Sequence, residues 1–176
     1  ATGKTKEEVI AALSDKEYLK ELISKYWFLT DAILDDKIYY PLEGYLFPST
    51  YEFYKNSNVK DIVKVMLDTF GSKLKTYEEK VNNSKYNIHE ILTLASIVEL
   101  EGAGSDDRAG VAGVFYNRLR DNWSLGSDAT TYYAAKVEFS ERDLYIKEIN
   151  EVNAYNTRPQ AMAGKLPIGP ICCPSI

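Results

Sequence analysis

The chain has 176 residues, 45% of them apolar, which is enough to bury one sizeable core and suits one globular domain. Its 21 Lys and Arg against 26 Asp and Glu leave a formal net charge of -5, and no basic cluster interleaved with aromatics stands out, which argues against a nucleic-acid partner. No window approaches the ~20 uninterrupted apolar residues of a membrane span and "ATGKTKEEV" lacks a signal-peptide core, so the chain as given is expected to be soluble; the single His89 and the adjacent Cys172 and Cys173 supply no metal-ligand set.

Thr5 followed by Glu8, and Ser14 followed by Glu17, have the form of capping boxes that each open a short amphipathic helix. From Pro41, "PLEGYLFPSTYEFYKNS" combines two prolines, a glycine and alternating aromatics, which predicts extended strands and a turn. Val59, Ile62, Val63, Met66, Leu67 and Phe70 recur at helical spacing after Asn58, and this helix is expected to run until the polar "NNSKYN" from Asn82. Asn87, with Glu90 three residues on, then caps a helix. Past Leu119 the pattern dissolves into short helices and loops rich in Gly, Pro, Ser and Thr. The expected fold class is α+β: mostly helical, with a small β-sheet from the "GYLFPSTYEFY" region.

The helix after Asn87 carries the chemistry. Ile91, Leu92, Leu94, Ala95, Ile97, Val98 and Leu100 spread around its axis, so it is expected to be buried. Gly102 is placed to end it in the left-handed region, which puts Glu99 in the last turn, near the negative end of the helix dipole. Burial and dipole both oppose ionisation, and a carboxyl kept protonated near neutral pH suits a general acid. The ordinary alternative is a solvent-facing helix end, or pairing with Arg108, Arg118 or Arg120. Glu101 lies two positions on, roughly 200° around the helix, so the two carboxylates cannot meet one reacting atom. The 14 tyrosines offer flat faces with polar tips, a combination that suits sugars as well as protein interfaces.

Six phrases, "LEGYLFPSTYEFY", "LTLASIVELEG", "RAGVAGVFYNRL", "SDATTYYA", "AYNTR" and "LPIGPICCPS", in this order and spacing, resemble the YceG-like (MltG-type) endolytic murein transglycosylases over most of Leu42 to Ser175. "SDKEYLKEL" is similar to that family's helical lead-in. The resemblance implies a lead-in over residues 1–40 that follows a LysM-like subdomain, and a catalytic domain over 41–176, truncated at its C-terminus. It implies cleavage of MurNAc-β-1,4-GlcNAc bonds inside nascent peptidoglycan strands with 1,6-anhydro-MurNAc ends. This would occur at the extracytoplasmic face of the cell membrane, with an N-terminal transmembrane helix as anchor in the full-length protein. Glycan strands and peptidoglycan synthases are the implied partners, and no cofactor or metal is implied.

Carried over residue by residue, the resemblance makes Glu99 the catalytic acid and assigns Glu101, Asp128, Thr130, Tyr155, Asn156 and Thr157 to substrate binding. Asp128 has an N-cap role as its alternative. The amide and hydroxyls of the Tyr155–Thr157 phrase suit an N-acetyl group or sugar hydroxyls. Ala129, Ile168 and Cys173 stand where the family has proline, proline and asparagine. Glu43, Tyr45 and Pro48 read as a structural turn or as ligands, His89 as structural, and Phe115 and Tyr116 as core. Two other function classes stay open from sequence: a muramidase that uses water, and a non-catalytic glycan-binding scaffold.

Overall fold

The computed structural model describes residues 5–102 and 104–175; the first four residues of the lead-in, Ala103 and Ile176 lie outside it. The described residues form eight α-helices and three short 3-10 turns. They divide into two compact units, one up to His89 and one from Glu90 to Ser175.

In the first unit α1 (Lys6–Leu13) opens on the expected Thr5–Glu8 capping box. For α2 (Lys16–Lys25) the cap moves by one residue: the Asp15 carboxylate accepts from the amides of Glu17 and Tyr18, while Ser14 closes α1. A carboxylate at a helix N-terminus gains from the dipole as well as from the bonds, which favours Asp15 over its serine neighbour. Asn58 caps α3 (Val59–Leu74) by accepting from Asp61. This helix ends sooner than expected. Its apolar stripe of Val63, Leu67, Phe70 and Leu74 is buried, but a 3-10 turn at Lys75–Tyr77 follows and the separate α4 (Glu78–Asn82) buries nothing. Beyond Leu74 the sequence has no apolar face to hold a continuous helix against the core.

No strand occurs among the described residues, so the expected β-sheet is absent and the fold is mostly helical. Residues 41–45 form turns and 47–54 run without a ladder. Exposure does alternate along Tyr51–Tyr54, with Tyr54 90% exposed and the Tyr51 and Phe53 rings 5.9 Å apart. Alternation shapes a strand only where another strand supplies hydrogen bonds, and no such partner exists here.

The core of the first unit is aromatic. Phe28, Tyr45 and Phe70 are almost fully buried, with ring centroids 5.1 Å apart for Phe28–Phe70 and 5.9 Å for Tyr45–Phe70. The Tyr45 hydroxyl lies 2.6 Å from Nδ1 of buried His89. Both residues are therefore structural here, while Pro48 is exposed and Glu43 is partly buried, its carboxyl pushed up by desolvation.

The second unit takes up α5 (Ile88–Glu101) from Glu90 onward, then α6 (Ser105–Arg120), α7 (Asp128–Ala135) and α8 (Ile146–Asn150), with α7 packed on α8. Leu92, Leu94, Ile97 and Val98 are buried together with Thr93 and Ser96, so most of α5 is covered as its sequence predicts, but Ile91 and Ala95 are only partly buried and Leu100 is 45% exposed. The loop from α6 to α7 carries Trp123, 66% exposed, held through its amide on the Arg118 carbonyl and its carbonyl on the Gly164 amide. Gly164 has φ +67, and a Cβ there would fall 2.3 Å from Asn122 Oδ1, so only glycine fits.

The aromatic core makes a graded stability prediction for thermal or chemical unfolding. Phe28→Ala is expected to cost about 3–5 kcal/mol by leaving a cavity. Tyr45→Phe, which keeps the ring but strips His89 of this bond, is expected to cost about 1–2 kcal/mol. Equal losses from the two would contradict a core held mainly by ring packing.

Candidate active site

Glu99 stands in the last turn of the largely buried α5, with 22% of its side chain exposed. Three donors converge on it: Arg108 Nη2 at 2.8 Å and Ser175 Oγ at 2.7 Å on Oε1, and the Ser175 amide at 3.1 Å on Oε2. Arg108 comes from α6. Ser175 is delivered by a segment laid along α5, where the Ile171 amide donates to the buried Ser96 hydroxyl at 3.0 Å and the Cys172 thiol lies 3.4 Å from the Ser96 carbonyl.

This shell reverses the protonation expected from sequence. Burial does oppose ionisation of Glu99, but the hydroxyl and amide of Ser175 and the Arg108 guanidinium outweigh it and hold the carboxyl below its ordinary range. Of the three arginines weighed as partners, Arg108 takes the role. Arg118 donates to the Leu125 carbonyl, and Arg120 to Asp121.

Gly102 ends α5 without entering the left-handed region, contrary to expectation. Its amide still bonds the Val98 carbonyl at 2.9 Å, and a Cβ at this position would lie 3.1 Å from Arg108 Cγ. Glycine is used here for close approach rather than for backbone conformation.

Glu99, Arg108, Pro174 and Ser175 line an open groove of about 310 Å3. Its walls are apolar: Ile91, Leu94, Ala95 and Val98 from α5, and Ala109, Ala112 and Tyr116 from α6. Phe115 is buried as expected, but Tyr116 is 41% exposed and lines this groove instead of the core.

Glu101 addresses other partners, as the angular separation predicts. Its Oε1 accepts from Ser127 Oγ at 2.5 Å and faces the Ala129 amide at 3.5 Å, at the N-terminus of α7 where a negative charge is favoured. A proline at position 129 would have no amide to offer. The cap of α7 is Ser127, so the cap weighed for Asp128 falls one residue earlier; Asp128 is instead the first helical residue and pairs with Arg158.

Thr130, Tyr155, Asn156 and Thr157 are 0–1% exposed, so none offers a surface to a glycan in this structure. Thr130 and Thr157 share a hydroxyl bond of 2.7 Å, and the Ser127 amide donates to Thr157 Oγ1 at 3.1 Å. Asn156 Nδ2 reaches the carbonyls of Glu148, Ile149 and Glu151 at the end of α8, and its Oδ1 accepts from the Thr131 hydroxyl and the Arg158 amide. These residues build the wall that carries Ser127 to Glu101. Sequence reading gave no role to Ser127 or Ser175. The three-residue step from Ser127 to Thr130 at a helix start was a usable signal for the first; nothing local marks the second.

The YceG-like family model matches residues 1–176. The chain is 37% identical over 158 residues to an endolytic murein transglycosylase of Bacillus subtilis (strain 168), covering 89% of this chain and 43% of that one. It is 35% identical over 132 residues to an endolytic murein transglycosylase of Streptococcus pneumoniae (strain D39), covering 74% of this chain and 24% of that one. The chain thus spans less than half the length of these relatives. A crystal structure of a YceG-like protein from Listeria monocytogenes superposes with a TM-score of 0.88 at 30% identity, over 98% of this chain and 55% of that one. A match along the whole sequence, joined to the same fold in a solved relative, establishes that the chain belongs to the YceG-like family.

Proposed function

We propose that this chain is the catalytic part of an endolytic lytic transglycosylase that cleaves MurNAc-β-1,4-GlcNAc bonds within peptidoglycan strands and leaves 1,6-anhydro-MurNAc ends. The observation that carries the reading is Glu99, which lines an apolar groove from the last turn of a largely buried helix. The names of the relatives supply the reaction class.

The chemistry needs one carboxyl. Protonated Glu99 gives its proton to the glycosidic oxygen as the bond from the muramyl C1 breaks, and GlcNAc leaves with a free hydroxyl. The carboxylate then accepts the proton of the muramyl C6 hydroxyl, whose oxygen bonds to C1. No water is consumed, unlike the two-carboxylate schemes of ordinary glycosidases. The ionised form that Arg108 and Ser175 favour is the one required in this second half. Glu101 braces α7 through Ser127 rather than serving as a second acid. For the whole protein we place this activity at the extracytoplasmic face of the cell membrane, anchored by an N-terminal helix and in contact with peptidoglycan synthases. Among the described residues no helix is long and apolar enough to cross a membrane.

The assay is mass analysis of products from purified sacculi, in which anhydro ends are one water lighter than hydrolytic ends. Wild-type protein is expected to yield anhydro ends; reducing muramic ends alone would replace this reading with a muramidase. Glu99→Gln should lower turnover by at least ~10²-fold to 10⁴-fold with folding and glycan binding kept. Glu101→Gln should give a milder rate defect with a lower melting temperature, because the Ser127 hydroxyl loses its charged acceptor. A dead but folded Glu101→Gln beside an active Glu99→Gln would exchange their roles.

The buried polar wall gives a separate expectation. Asn156→Ala strips three carbonyls at the end of α8 of a shared donor and is expected to destabilise the fold by about 1–3 kcal/mol in thermal melts. Its KM for glycan should stay near wild type below the melting transition. A large rise in KM without loss of stability would return Asn156 to the glycan-contacting set.

A further inference from the structure

Both carboxylate oxygens of Glu99 are engaged. Oε1 takes Arg108 Nη2 and Ser175 Oγ, and Oε2 takes the Ser175 amide. Paired in this way the carboxyl favours its ionised form, which has no proton to give to a glycosidic bond. The Ser175 contacts are compatible with a protonated carboxyl, because a hydroxyl can turn from donor to acceptor. The guanidinium is not, since a fixed cation beside the carboxyl favours its ionised form.

Arg108 is also held at a cost. Its Nε is buried without a hydrogen-bond partner, in an ion pair whose side chains keep 35% and 22% exposure. The close approach at Gly102 keeps the Arg108 stem near the end of α5. A buried guanidinium nitrogen left unsatisfied beside a groove-lining carboxylate points to a role in the reaction.

We propose that Arg108 is a positioning residue for Glu99: it holds the carboxylate in the wall of the groove and yields it when a glycan enters, so that Glu99 acquires its proton only with substrate in place. The proposal rests on Glu99 as the general acid. Arg108 faces Glu99 from α6 and Ser175 from the C-terminal segment, and Tyr116 is the remaining titratable side chain of the groove. The proton comes from solvent, passes to the glycosidic oxygen and is replaced from the muramyl C6 hydroxyl, while Arg108 stays charged throughout.

The test labels glutamate carboxyls with carbon-13 and follows the Glu99 titration by NMR without substrate, beside kcat and KM for anhydro-product formation across pH in the intact protein. In Arg108→Gln the Glu99 midpoint and the alkaline limb of the kcat profile are expected to move up together, with kcat at its optimum falling about tenfold from lost orientation and KM little changed. Arg108→Lys should return the midpoint toward wild type without restoring the rate, because an ammonium lacks the planar fork. A folded Arg108→Gln protein whose Glu99 titrates as in wild type overturns the proposal. Should that variant fail to fold, Gly102→Ala decides: its Cβ would press on Arg108 Cγ, and a midpoint that stays put again overturns the idea. Wild-type protein that makes no anhydro ends would sink the catalytic reading instead, while the titration would still judge the clamp.

Discussion

A helix that is apolar around its whole circumference must be covered over most of its surface, and it then has little to show beyond one groove wall and its last turn. That constraint shapes the second unit. α5 satisfies it with Leu92, Leu94, Ile97 and Val98, and spends its final turn on Glu99 and Glu101. Two carboxylates beside so much apolar surface require compensation, and it arrives from different directions. Arg108 and Ser175 serve Glu99, while Ser127 and Ala129 serve Glu101. The loops and short helices after Leu119 can thus be understood as supports for donors at the end of one helix.

Those supports are polar and buried, an arrangement that tolerates few partial solutions. Thr130, Thr131, Asn156 and Thr157 are closed to solvent and bond to one another or to main chain. A buried amide or hydroxyl with its partners in place fixes one geometry, and the same group with a partner missing is costly. Such a network sets the position of Ser127 more narrowly than apolar packing would, since its amide and hydroxyl are both engaged.

What the sequence disclosed divides along the range of the forces involved. Helix starts are governed within three or four residues, so Thr5, Asn58 and the run to Leu100 were legible, and the two errors of register, Ser14 for Asp15 and Asp128 for Ser127, each came from two capping residues side by side. The burial of most of α5 followed from its pattern, though not the exposure of Leu100. The strand at Tyr51–Tyr54 did not form because a ladder depends on a partner that no local pattern can guarantee. The ionisation of Glu99 was misjudged for a related reason: burial and dipole are local, whereas Ser175 stands 76 positions away in sequence. The phrase around Asn156 looked like a ligand set because amides and hydroxyls suit sugars and helix ends equally well, and only burial distinguishes the two uses.

The placement of the indoles has a practical consequence. The chain has two tryptophans, and they fall one to each unit: Trp27, 43% exposed and edge-on to Phe28, in the first, and Trp123, 66% exposed on the loop after α6, in the second. Each unit therefore carries its own fluorophore. Replacing either indole with phenylalanine leaves an optical label whose emission reports on a single half, so it can be asked directly whether the two halves melt as one cooperative block or in succession. Selective excitation of the indole keeps the 14 tyrosines from feeding that label by energy transfer, so the assignment stays clean.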